Sequence, residues 1–262
     1  MMLVFPQLCT GAAVQFPFTS EYRSRNVVNE AADGSIERLS DPAAQVQVWK
    51  LRFRGLSDAE LAALAGLHTV AAGGLRAFTF LDPAANLLRW SESLTNDVWT
   101  RDALLTVNAV AGEGDAVHRL VNAAQVEQSI GQTLPAPAGL AYAFSFEVRT
   151  AERVRLAAER SASAAALRTE FDAPAQWMRC VQTGRLPSAA EELAFRLVVP
   201  AGATVDVRRM QVEAQPAASQ YKPAFSASGV YPATRFRTDE LPVTTKGMND
   251  HEVAFELIST VR

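Results

Sequence analysis

Between residues 103 and 212 the sequence breaks into short stretches of strand character fenced by Gly, Pro, Ser and Ala-rich turns. They run Ala103 to Val110, Ala116 to Val121, Val126 to Gln132, Ala141 to Arg149, Val154 to Ala158, Trp177 to Thr183, Glu192 to Val199 and Thr204 to Val212. Eight or more short strands in about 130 residues is a sandwich signature. The Ala-rich run from Arg149 to Arg168 has helix propensity. Its period-two alternation, in Val154-Arg-Leu156 and again from Ala166 to Phe171, predicts strands and a loop instead.

The flanks have another texture. Tyr22 to Val28 and Gln45 to Phe53 read as strands, the second placing Trp49, Leu51 and Phe53 on one parity, toward a core. Asp33-Gly34-Ser35 and Asp41-Pro42 are turn signals. Ser57-Asp-Ala-Glu60 is a capping box, and Leu61, Leu64 and Leu67 continue at helical spacing, so a helix is predicted over 57–72, ended by Gly73-Gly74. A strand follows from Arg76 to Leu81. Pro6, Gly11 and Pro17 punctuate the first 20 residues, including Ala12 to Phe16, into an extended arm or edge strands. At the other end, residues 225–234 read as a linker, and Arg235 to Leu241 and His251 to Ile258 as strands around a turn at Lys246 to Asp250. A tail of about 30 residues cannot bury a core alone, so these strands must complete the sheet begun before residue 83. The expected fold is mainly β: a discontinuous β-rich domain of residues 1–83 and 226–262 with one helix, and an inserted jelly-roll β-sandwich of residues 86–223.

Composition narrows the chemistry. A net charge of −3 over 262 residues gives no basic footprint, so neither nucleic acid recognition nor attraction to anionic lipid is expected. The apolar run Met1 to Phe5 stops at Pro6, which predicts no leader and no membrane insertion. Cys9 and Cys180 read as two separate reduced thiols. His68, His118 and His251 show no ligand spacing and read as ordinary packed or surface histidines. Asp82 with Glu92, and Glu170 with Asp172, are carboxylates whose pairing only three-dimensional separation would decide. Gly112-Glu-Gly114 is a turn, not a phosphate cradle, and neither a nucleophile elbow nor a zinc motif occurs. No catalytic residue, metal site or cofactor is expected, and the chain does not read as an enzyme. Arg149, Arg153, Arg155, Arg160 and Arg168 interleave with Glu147, Glu152, Glu159 and Glu170, a solvated face or subunit contact. Trp90, Trp99 and Trp177 either plug sandwich edges or stack on sugar rings.

Phe5-Pro6, Gly11, Arg23 to Asn26, the helix after Gly55-Leu-Ser-Asp58 and Phe78 to Pro83 together resemble the N-terminal part of phage distal-tail proteins of the DUF2460-like group, with Gly247 to Leu257 resembling their closing strand. Asn86-Leu-Leu, Trp90-Ser-Glu92 with Trp99, Trp177-Met-Arg179, and Val205 to Glu213 followed by Ala217 to Tyr221 resemble phage-borne carbohydrate-binding-module-like jelly rolls. The resemblance implies a virion structural protein of the phage tail tip, assembled in the host cytoplasm as a homo-oligomeric ring, a hexamer, that joins the tail tube to the hub proteins. The insert would be an outer module for host cell-surface polysaccharide, with Tyr142, Trp177 and Trp90 as its glycan-binding aromatics. The alternatives are a tail-associated glycan hydrolase and a free host-binding lectin.

Overall fold

In the computed structural model, residues 2–112, 115–163 and 165–260 are described, Pro42 and Ala43 by their backbone only. Glu113 and Gly114 of the expected turn and Ala164 of the Ala-rich run lie outside the described residues. The chain divides into two compact units. One holds residues 2–9, 14–80 and 231–262; the other, the sandwich unit, holds 10–13 and 81–230.

In the first unit, β1 (Thr19–Glu30) and β2 (Ile36–Leu56) pair antiparallel from Thr19↔Lys50 to Glu30↔Ile36. Their turn is Asp33-Gly34-Ser35, with Gly34 at φ +81° and the Asp33 carboxylate accepting from Ser35 N. Asp41-Pro42 does not turn the chain. It lies inside β2 where the register slips between Arg23↔Val46 and Arg25↔Asp41, so the excess residues make a bulge, an arrangement that tolerates proline. Trp49, Leu51 and Phe53 are buried while Lys50, Arg52 and Arg54 are exposed, as the alternation requires. Helix α1 (Asp58–Ala71) starts on the complete capping box of Ser57 and Glu60 and ends at Ala72, which takes the left-handed conformation at φ 50°. β3 (Phe78–Leu81) is buried along its length.

The sandwich unit contains β4 (Thr100–Arg101), β5 (Leu105–Val110), β6 (Val117–Asn122), β7 (Gln128–Leu134), β8 (Tyr142–Arg149), β9 (Val154–Ala162), β10 (Ala165–Ala173), β11 (Met178–Gly184), β12 (Leu193–Val199) and β13 (Thr204–Glu213). They form two five-stranded sheets, β10-β9-β12-β7-β4 and β11-β8-β13-β6-β5. Tyr142, Phe144, Phe146, Phe195 and Leu197 are fully buried between them, the aromatic rings meeting edge-on or tilted at 5.2–5.7 Å. The alternating segments 154–158 and 166–171 both lie in strands, joined through a turn at Ser163 (φ 49°).

The chain then returns to the first unit with β14 (Val230–Phe236), β15 (Val243–Gly247) and β16 (Asp250–Thr260), completing the sheet β1-β2-β16-β14-β3 with β15 on β16. Residues 230–234, read above as linker, are therefore strand, and the strand expected over 235–241 stops at Phe236. Phe5, Trp49, Phe53, Phe80 and Phe255 supply this unit's aromatic core. Ala12 to Phe16 form no regular strand, and residues 10–13 belong to the sandwich unit instead of the N-terminal domain expected to hold them. Cys9 is an exposed thiol, whereas burial pushes the Cys180 thiol up to about 12.

Candidate functional site

Strand β13 alternates regularly as far as Val207 and then slips. Arg208 pairs with Glu147 on β8 and Gln211 with Ser145, so Arg209 and Met210 together oppose Phe146, with Arg209 in the left-handed region at φ 56°. This is a β-bulge, and it decides where side chains go. In an unbroken strand adjacent residues face opposite sides. Here Val207 and Met210 are both fully buried, while the arginines between them reach the same two carboxylates. Arg208 Nη1 lies 2.7 Å from Asp115 and its Nε 2.8 Å from Glu147; Arg209 lies 3.0 Å from each.

Trp177 sits under this network. The guanidinium carbons of Arg149 and Arg208 lie 4.6 and 4.1 Å from its ring centroid, a cation–π arrangement that fixes both arginines. Arg149 also joins Arg119 on Asp206, at 3.2 and 2.7 Å. Burial alone would raise the Asp206 carboxyl, but the hydrogen bonds from Arg119 and Arg149 outweigh it and hold the group below its ordinary value.

The opposite wall is the segment after β13. The fully buried Glu213 carboxylate accepts from Ser219 N (2.9 Å), Ser219 Oγ (2.6 Å), Gln215 Nε2 (2.9 Å) and Lys222 Nζ (2.7 Å), which folds this segment onto the sheet. Asn86 ties it to β13, donating to Lys222 O at 3.3 Å and to Met210 O at 2.9 Å and accepting from Val212 N at 3.0 Å. Tyr221 is thereby placed to donate to Glu92, with Ser91 Oγ 2.8 Å from the same hydroxyl. Desolvation first, and the bond to Glu92 second, push its phenol above the ordinary range. Glu92, Asp115, Glu147, Arg179, Arg209, Gln220, Tyr221 and Pro223 enclose an open cleft of about 480 Å³. A second polar cleft, of about 330 Å³, lies on the other sheet between Asp102, Glu159, Arg168 and Arg196.

The three predicted aromatics are not brought together. Tyr142 is a core residue, fully buried, with its hydroxyl donating to Pro137 O at 2.8 Å, so it offers no ring to a ligand. Trp177 is half-buried and already carries two guanidinium groups. Trp90, half-buried at φ 51°, pins the loop: its N donates to Phe225 O at 2.7 Å and its carbonyl accepts from Trp99 Nε1 at 3.0 Å. The histidines stay apart. His68 packs against Phe236, buried His118 accepts from Leu94 N at 3.2 Å, and His251 lies 2.6 Å from Asp58. Of the four carboxylates considered as pairs in the sequence, Glu92 lines the larger cleft, as does Glu147 of the Arg-rich run; Asp82 accepts from Ala84 N, and Glu170 and Asp172 pair with Arg155.

No protein-family model and no curated protein matches the sequence. Among solved structures the chain is similar to the enzymatically active domain of bacteriophage CBA120 tailspike protein 4, at 13% identity and a TM-score of 0.42, over 51% of this chain and 22% of that one. It is also similar to the CBM22-1 xylan-binding domain of Paenibacillus barcinonensis Xyn10C, at 12% identity and a TM-score of 0.41, over 51% of this chain and 96% of that one. A third is the C-terminal family 22 carbohydrate binding module of Clostridium thermocellum Xyn10B, at 14% identity and a TM-score of 0.41, over 53% of this chain and 99% of that one. Likenesses of this size assign no role to any side chain of the cleft.

Proposed function

We propose that the protein is a structural component of a phage tail tip, a ring subunit between tail tube and hub, whose sandwich is an outer module that holds host-surface glycan in the cleft beside Tyr221. The observation that carries the glycan half is the cleft itself: about 480 Å³ with fixed donors and acceptors of both kinds converging on it. Sugar hydroxyls need such groups held in place, because every side chain ordered on binding subtracts from affinity. Arg208 and Arg209 are held by Asp115 and Glu147, and the Tyr221 wall by Glu213. What supports the ring half is the resemblance of the flanking segments to distal-tail proteins.

Binding is favoured over hydrolysis by the same contacts. A glycosidase pair needs one carboxyl to give up a proton and one to attack or activate water. Asp115 and Glu147 are each engaged by two guanidinium groups and Glu92 by the Tyr221 hydroxyl.

The test is retention of the purified protein on beads coated with host surface polysaccharide, beside Arg209→Ala and Glu92→Gln variants of unchanged melting behaviour. Retention should fall about tenfold in each variant, the loss expected for one hydrogen bond to a charged group. Equal retention by all three proteins removes the cleft from the reading. Images of the same preparation should show closed rings, and a monodisperse monomer points instead to a free lectin.

A further inference from the structure

Three guanidinium groups and three carboxylates stand around the cleft, but they are not all paired with one another. Arg208 and Arg209 are matched by Asp115 and Glu147, and Glu92 takes the Tyr221 hydroxyl. Arg179 is different. It stands directly across from Glu147 in the β11–β8 register, yet Glu147 is taken by Arg208 and Arg209, and Arg179 forms no ion pair among the described residues. Its Nη2 donates to two neutral acceptors instead, Ser145 Oγ at 3.2 Å and the carbonyl of Ser219.

Neutral acceptors orient a guanidinium without offsetting its charge. Nε and Nη1 meet no protein acceptor among the described residues, so the cation is held still at the cleft wall with part of its fork free. A neutral sugar entering the cleft would displace water from this charge and return only dipoles. A sugar with a carboxylate returns a charge and a planar pair of oxygens that the fork matches. Glu92, also on the cleft wall and without an ion pair among the described residues, takes the Tyr221 hydroxyl on Oε1, which leaves Oε2 to accept from a hydroxyl of the same sugar. We infer that the cleft selects acidic polysaccharide, with the carboxylate of a uronic-acid residue on Arg179. This rests on the glycan-binding reading above and names its ligand class.

The experiment measures a ratio. Polygalacturonate, alginate and hyaluronate are each immobilised beside their own carboxyl-reduced form, in which the carboxylate has become a primary alcohol and the rest of the chain is unchanged. Retention on the acidic form divided by that on the reduced form should be about ten or more for at least one polymer, should fall to about one in Arg179→Gln, and should stay above one in Arg179→Lys. A thermal melt of each variant establishes that it is folded. A ratio near one for the unaltered protein, with the polymers still retained, overturns the acidic-ligand inference and leaves the glycan reading standing. Retention of none of the six polymers overturns both. A ratio of ten that survives in folded Arg179→Gln overturns the assignment to Arg179.

Discussion

Replacing Arg160 with methionine should make the protein more stable. Arg160 lies on β9 with its side chain fully buried inside the sandwich, and burial pushes its guanidinium below the ordinary arginine range. Nη1 donates to Gly184 O at 3.0 Å and Tyr142 O at 3.4 Å, while Nε and Nη2 meet no acceptor among the described residues. Hydrogen bonds from a charged donor are worth about 1.5–3 kcal/mol each. With one of the two at the length limit, they contribute about 3 kcal/mol. Against them stands desolvation of an ion without a counter-ion, which costs about 5 kcal/mol even after relaxation. Methionine keeps most of the aliphatic stem and removes the charge, so Arg160→Met should gain about 2 kcal/mol, the difference of those two terms. In a unit of roughly 150 residues that is a rise of about 4–8 °C in the midpoint. Differential scanning calorimetry of the whole chain reads it directly. A fall of the same size would refute the reasoning, because it would mean that the guanidinium is fully compensated where it lies.

Three further expectations follow from the same physics. Ser57→Ala removes one half of the capping box and should cost about 1 kcal/mol in urea unfolding, with Ser57→Gly costing only a few tenths. Hydrogen bonds from Cys9 and Ser57 hold the Glu60 carboxyl down to about 2, below its unfolded value, so its contribution is complete above about pH 4.5 and is lost as pH falls toward 2. Glu60→Gln should therefore flatten the acid limb of a melting-temperature profile in that window and leave its shape above pH 5 unchanged. Tyr142→Phe should cost about 1 kcal/mol for the lost bond to Pro137, and Tyr142→Ala about 3–5 kcal/mol for an emptied core site, both by denaturant titration.

The strands were legible where period two is written locally, as in β5 and β10, where buried or half-buried and exposed residues alternate. Proline misled the reading twice. Pro42 sits in a bulge, not a turn, and Pro232 lies in β14 before that strand's ladder with β16, which pairs Arg235 with Ile258 and Phe236 with Leu257. The cleft was less legible. Gln220 and Tyr221 reach it because Glu213 folds the segment after β13 back onto the sheet, opposite Arg179 on β11, and that packing leaves no periodic trace. One signal did exist. The apolar positions Val205 and Val207 are odd, Met210 and Val212 are even, and the change of parity falls at the paired arginines. Tyr142, which the resemblance implies as a ligand contact, is a core residue, and an aromatic on a sandwich strand looks the same in sequence whether it faces inward or outward.

The bulge at Arg209 also sets how such a protein can change over generations. Removing that one codon would restore regular alternation through β13: Val207, Met210 and Val212 would still face inward, Arg208 and Gln211 outward, and the segment beyond would keep its place. The core composition would be untouched, while one of the two arginines that hold Asp115 and Glu147 would be gone. The charge pattern of the cleft wall can thus change through a single in-frame event that leaves the inward-facing residues of β13 as they are.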